Sequence, residues 1–180
     1  MKLFDALKVV HKSGYVFNNL SAKNIILRGD LQNFNETKLK LVDFTLSKKY
    51  YYTISTPNGP KHGHINQENL RVFEGDIICA SIDKMNLLST GRKDDLVSLC
   101  YLLCYLLNKG RLPRLSMQDI NNYQEVMLTK AKLTEDDVST IDCNYYTKFV
   151  STILQYSFDD EPDYDGLREL LQQSVDLANN

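Results

Sequence analysis

Apolar positions come first. Leu3, Ala6, Leu7 and Val10 recur at three- and four-residue spacing through Lys2–Lys12, the pattern of one buried helical face, and Ser13-Gly14 predicts its stop. Two short β-like runs follow, Asn24–Leu27 and Lys38–Val42, with Leu39 and Leu41 alternating with Lys38 and Lys40. Period two marks a half-buried strand, so the pair predicts a hairpin whose long polar loop is Arg28–Thr37. From Ser47 to about Asp76 no period is visible, and an irregular surface segment is expected. Structureless stretches longer than about 15 residues inside compact domains are usually functional or disordered. Lys93–Lys109 then carries Leu96, Leu99, Cys100, Leu103, Leu106 and Leu107, closing at Gly110. A helix apolar on more than one face belongs in the middle of a domain. Further helices are predicted at Met117–Lys130, Tyr145–Tyr156 and Tyr164–Ala178. The pattern predicts one mainly α domain (α+β) with a small hairpin near its start.

Composition narrows the function classes. The chain has 180 residues, 43% hydrophobic and 24% charged, near globular averages. With 21 basic and 23 acidic residues, net charge -2, it lacks the clustered Lys/Arg excess that non-specific nucleic-acid binding needs, so no nucleic-acid partner is expected. No window reaches the roughly 18 apolar residues of a membrane span. The start, with Asp5 and no long apolar run, does not resemble a leader. A soluble, intracellular protein without membrane insertion is expected. Cys79, Cys100, Cys104 and Cys143 include no C-x-x-C pair, and buried core thiols are expected rather than a metal or disulfide site. The sequons at Asn19 and Asn35 carry no meaning without secretion.

The motifs then resemble something specific. After the first helix come Phe17-Asn18-Asn19-Leu20-Ser21-Ala22-Lys23-Asn24, a strand, and Asp43-Phe44-Thr45. This resembles the catalytic-loop and metal-loop pair of protein kinases, H-R-D followed by N, then D-F-G. Further on, Glu74–Ser81, Thr90–Leu99, the Arg111-Leu112-Pro113 turn and Phe158–Tyr164 with Leu167-Arg168 resemble, in order, segments of the casein kinase 1 family. Arg114 departs from the Trp common there. The resemblance spans Lys2 to Gln173 and implies a kinase C-terminal lobe. Within it, residues 15–27 correspond to the catalytic loop, 39–46 to the metal loop, 47–81 to the activation segment and 82–178 to a helical subdomain.

The departures imply a pseudokinase, not an enzyme. Met1 stands at the start of the first helix, so the N-terminal lobe is expected to be missing, with its Gly-rich loop, phosphate-binding Lys and orienting Glu. Phe17, Asn18, Asn19 and Ser21 are the degenerate catalytic positions. A kinase needs a carboxylate to accept the substrate hydroxyl proton, and the Asn19 amide has no basic oxygen. Ser21 replaces the Lys that neutralises the transferring phosphoryl group. No catalytic residue and no cofactor are therefore expected, neither ATP nor Mg²⁺. Asn24 and Asp43 could be vestigial metal ligands through hard oxygens, or loop residues bracing nearby amides.

The resemblance gives Asp95 a structural role, binding backbone amides of the catalytic loop, and leaves Asp94 a solvated first-turn acid suited to the helix dipole. It places Arg168 in a buried ion pair near the central helix, the alternative being an exposed Arg. Lys48, Lys49, Lys61, Arg71 and Arg92 flank the long segment, as a retained anion site or as scattered surface charge. His62 and His64 make a poor metal site, and Tyr50–Tyr52 suits loop packing. Functionally the expectation is a scaffold or protein-interaction subunit whose partner subunits cover the face left open by the missing lobe. The alternatives are a split half or fragment of a kinase-like protein with residual nucleotide or Mg²⁺ binding, and a regulator competing with an active kinase.

Overall fold

The structure is a computed structural model that describes residues 1–30, 33, 36–138 and 144–178. Helix α1 (Lys2–Lys12) forms where the spacing predicts it, burying Phe4, Leu7, Val10 and His11. It ends at Ser13, and Gly14 takes φ +86° with its N–H donating to His11 O at 2.9 Å. The chain then runs into β1 (Tyr15–Val16), a single 3₁₀ turn at Ala22–Asn24, and the hairpin β2 (Ile25–Arg28) and β3 (Lys38–Leu41). Ile25 faces Leu41 and Arg28 faces Lys38. On β3 the leucines are half-buried and the lysines exposed, as alternation requires.

The long segment is irregular only beyond His64. Lys48–Lys49 (β4) pairs antiparallel with β1, Tyr15 opposite Lys49. Next, β5 (Tyr51–Thr56) and β6 (Gly59–His64) form a regular hairpin. Its turn is Pro57-Asn58, and Gly59 after it takes φ +104°, a left-handed conformation that glycine adopts without strain. Nearly every residue of β5 and β6 is exposed or half-exposed, so no buried face imprinted an alternation on the sequence.

The helical part follows: α2 (Ile82–Met85), α3 (Arg92–Leu107), α4 (Tyr123–Lys132), α5 (Glu135–Val138), α6 (Asn144–Gln155) and α7 (Tyr164–Ala178). The predicted helix from Met117 starts later, at Tyr123, because turns occupy 117–122 and Asn122 caps the helix. Its side-chain oxygen accepts from the N–H groups of Gln124 and Glu125 at 3.1 and 3.4 Å, two of the donors a helix start leaves unpaired. Helix α3 is the hub. Leu96, Leu99, Cys100, Leu102 and Cys104 are buried against α1, Phe149, Val150 and Ile153 of α6, and Leu167 and Leu171 of α7. Fully burying each such aliphatic or aromatic side chain contributes about 1.5–3 kcal/mol before entropy is counted. Only glycine fits at residue 91, where a Cβ would lie 2.2 Å from Phe158 O. The start of α3 therefore abuts the turn leading to α7.

Among the described residues this is a mixed α/β fold of seven α-helices and three separate two-stranded sheets. No helix among them is long and apolar enough to cross a membrane. Cys79, Cys100 and Cys104 are buried and unpaired. Burial pushes the Cys79 thiol up to about 12 and Cys104 to about 11, which leaves them without thiolate character near neutral pH. Cys143 and the Asn35 sequon lie outside the described residues.

Candidate functional site

The loop between β1 and β2 is held from below by one carboxylate. Asp95, in the first turn of α3 and 2% exposed, accepts from Phe17 N at 2.6 Å and Asn18 N at 2.7 Å. Its Oδ2 also accepts from His11 Nε2 at 2.8 Å. A carboxylate only accepts, so that ring nitrogen carries a proton. On the other side of the ring, Nδ1 lies 2.7 Å from the buried Tyr164 hydroxyl. Tyr164–His11–Asp95 thus joins α7, α1 and α3 beneath the loop.

Asn18, at φ +63°, stitches the loop sideways. Its Nδ2 donates to Leu46 O at 3.0 Å, its Oδ1 accepts from the Thr90 hydroxyl at 2.8 Å, and its carbonyl accepts from Lys84 Nζ. Asn24 Nδ2 donates to Asn19 O at 2.8 Å, and Val42 N donates to Asn24 O at 3.0 Å. Asn19 Nδ2 donates to Asp43 Oδ2 at 3.3 Å. Asp43, at φ +60°, also accepts from the Thr45 hydroxyl and from Thr45 N. Phe17 is fully buried, and the half-exposed Phe44 ring meets it edge-on with centroids 5.0 Å apart. Ser21 is buried.

The 17–24 loop and the Asp43-Phe44 turn, separate in sequence, are therefore joined by the Asn19–Asp43 bond and the Phe17–Phe44 ring contact. Chemically the cluster offers amide donors and one carboxylate already engaged by donors. The recess beneath the loop, lined by Asn18, Asn19, Asp76, Lys84 and Asp95, has about 10 Å³ of free volume, no more than about one water. No group of three or more His, Cys, Asp or Glu side chains among the described residues could hold a metal ion.

Several side chains sit elsewhere than expected. Asp94 is buried rather than solvated; its Oδ2 accepts from Gly91 N at 2.8 Å, and burial pushes its carboxyl up to about 6 against the pull of that N–H and the Ser81 hydroxyl. Arg168 pairs not with an acid near α3 but with Asp5 of α1 at 2.9 Å, both about half exposed. Arg92 is buried: its guanidinium lies 4.5 Å from the Tyr50 ring centroid and donates to Asp159 O at 2.9 Å. It is spent on structure, while Lys48, Lys49, Lys61 and Arg71 stay exposed. Tyr50 is buried, its hydroxyl on His11 O at 2.7 Å; Tyr51 and Tyr52 are exposed. His62 binds the Thr53 hydroxyl and His64 the carbonyl of Ile65.

Sequence reasoning missed His11, Lys84 and Lys130. Lys130 Nζ, almost fully buried, donates to Ile77 O at 2.8 Å and Ala80 O at 2.6 Å and lies 4.2 Å from the Tyr101 ring centroid. Burial pushes its ammonium down to about 7, and that of Lys84 to about 8. The available signal was a polar residue on an apolar stripe: His11 four residues after Leu7, Lys130 four after Val126.

No family model matches the chain. Over 172 residues it is 25% identical to casein kinase I homolog 2 of Schizosaccharomyces pombe, an alignment covering 94% of this chain. The chain spans 38% of the length of that relative. The similarity makes the chain a distant relative of the protein kinase superfamily.

Proposed function

We propose that the chain is a casein kinase 1-like large lobe that does not transfer phosphoryl groups and acts as a protein-interaction subunit of a larger assembly. The observation that carries the reading is the bond from Asn19 Nδ2 to Asp43 Oδ2. Where the kinase mechanism needs a proton acceptor, this loop presents a donor, and it points at the carboxylate that would otherwise serve a metal. Ser21, buried and uncharged, supplies no compensating cation.

The interaction role is supported by surface chemistry next to this loop. Ile26 and Leu27 lie on opposite faces of β2, yet both are more than 40% exposed, as is Phe44. A two-stranded sheet with apolar side chains on both faces is marginal in water, and an exposed apolar patch usually marks a binding surface. A partner that grips the β2–β3 hairpin from both faces and reaches Phe44 would cover all three side chains. The test compares native size on gel filtration, with co-migrating chains identified by mass spectrometry, for the natural protein and an Ile26→Lys/Phe44→Asp variant. A stable complex much larger than the chain, lost in the variant, is expected. Migration as a monomer, or a complex indifferent to the variant, would overturn the subunit reading.

A further inference from the structure

The net charge of -2 conceals a division. Residues 1–67 carry ten Lys and Arg against four Asp and Glu, and residues 68–180 carry eleven against nineteen. The chain is thus basic through α1 and the six strands and acidic through the helices that follow.

One place where the basic excess costs the fold is the β2–β3 hairpin. In its register Ile26 stands opposite Lys40, and Arg28 opposite Lys38. Directly opposed residues point to the same side of a sheet, so these four share one face, while Leu39 and Leu41, both half-buried, take the other. All four are exposed, Ile26 by 43%. Among the described residues, Arg28, Lys38 and Lys40 make no ion pair. The acids nearest in sequence, Asp30 and Glu36, lie beyond the strand ends, and Asp43 is engaged by Asn19 and Thr45.

Like charges directly opposite each other destabilise a sheet, and a two-stranded sheet is marginal to begin with. Guarding an exposed edge takes one lysine; it does not take an arginine facing that lysine across the ladder. Building on the subunit role above, we propose that this face docks a partner protein through carboxylates set around an apolar side chain. The carboxylates meet Arg28, Lys38 and Lys40, and the apolar group covers Ile26. Docked acids turn the Arg28–Lys38 repulsion into attraction, and the basic and acidic halves of the chain orient the partner as it approaches. Nucleic acid fits less well. Three cations around an isoleucine offer few phosphate contacts, and the nineteen acids of residues 68–180 repel an extended polyanion.

The experiment uses the complex purified from its natural source. Carbodiimide joins an ammonium to a carboxylate in contact with it. Cross-links from Lys38 or Lys40 to an Asp or Glu of another protein are expected, read by mass spectrometry of the joined peptides. Raising NaCl from about 0.1 M to about 0.5 M should release that protein. Lys38→Glu/Lys40→Glu in the full chain should dissolve the complex on gel filtration, a weakening of at least about tenfold. The same change should raise the chain's own urea midpoint, because Arg28 gains an opposite charge across the ladder. A complex that Ile26→Lys/Phe44→Asp dissolves, but that charge reversal and salt leave intact, would overturn the acidic partner and keep the subunit role. A natural chain that runs as a monomer would overturn both. Release by nuclease, or cross-links that reach only acids of this chain or of a second copy, would also overturn the proposal. The salt and cross-linking arms use the unaltered chain and stand even if the variant fails to fold.

Discussion

Asp95 holds three donors with two oxygens, and each comes from a segment that would otherwise leave a buried N–H unpaired. Asp95→Asn replaces one acceptor oxygen by an amide that donates, setting donor against donor inside the fold. A loss of about 2–4 kcal/mol is expected in urea denaturation, with the loop amides of Phe17 and Asn18 becoming the first to exchange; a change under about 0.5 kcal/mol would contradict the anchoring role. The importance of Asp95 was legible through its place in a motif, since an acid in the first turn of a central helix is otherwise unremarkable. Its neighbour Asp94 was not, because helix-dipole chemistry explains an exposed acid equally well, and the Ser81 hydroxyl that meets it comes from a separate segment. Arg168 shows the same limit: its spacing puts it on α7, but nothing in the chain says that α1 passes beside it.

At the scale of elements, α4 is pinned to residues 77–80 by Lys130. Its folded-state pKa of about 7 lies below the ordinary lysine value, so above pH 7 the unfolded chain binds the extra proton. Stability then rises with pH between about 7 and the unfolded value near 10.5. Lys130→Met removes that slope and leaves the carbonyls of Ile77 and Ala80 without their donor. The stability gap between the natural chain and the variant should widen by about 2 kcal/mol from pH 7 to 9; parallel pH profiles would show that the ammonium is not the titrating group. Elements with a buried face were legible, α1, β3 and α3 above all, because burial writes a period into the sequence. The β5–β6 hairpin was not, for the opposite reason: both its faces meet solvent, and Asn58-Gly59 was its sole local signal. The start of α4 was overrun because apolar Met117 and Ile120 sit in turns that end at an Asn cap.

At the scale of the molecule, the proposed loss of catalysis rests on more than single residues. The double variant Asn19→Asp/Ser21→Lys restores the two missing side chains, yet the chain spans only 38% of the length of its kinase relative. The 180-residue chain carrying both changes is expected to show no ATP-dependent phosphorylation of casein or of itself above the natural chain; a clear gain in incorporated phosphate would mean that the lobe is poised for chemistry.

The three sheets have a consequence for the chain's life outside an assembly. Because each has only two strands, every strand offers an unpaired row of N–H and C=O groups along one side, the template on which another chain adds a strand. Lysines guard β3, β4 and β6 at Lys38, Lys40, Lys48, Lys49 and Lys61, charges that discourage such pairing. The first five residues of β5, Tyr51 to Ser55, are exposed and carry no charge, and β2 has only Arg28 at its end. In concentrated solution these two edges are where copies of the protein would stitch together, and where a single added lysine would do most to keep it dispersed.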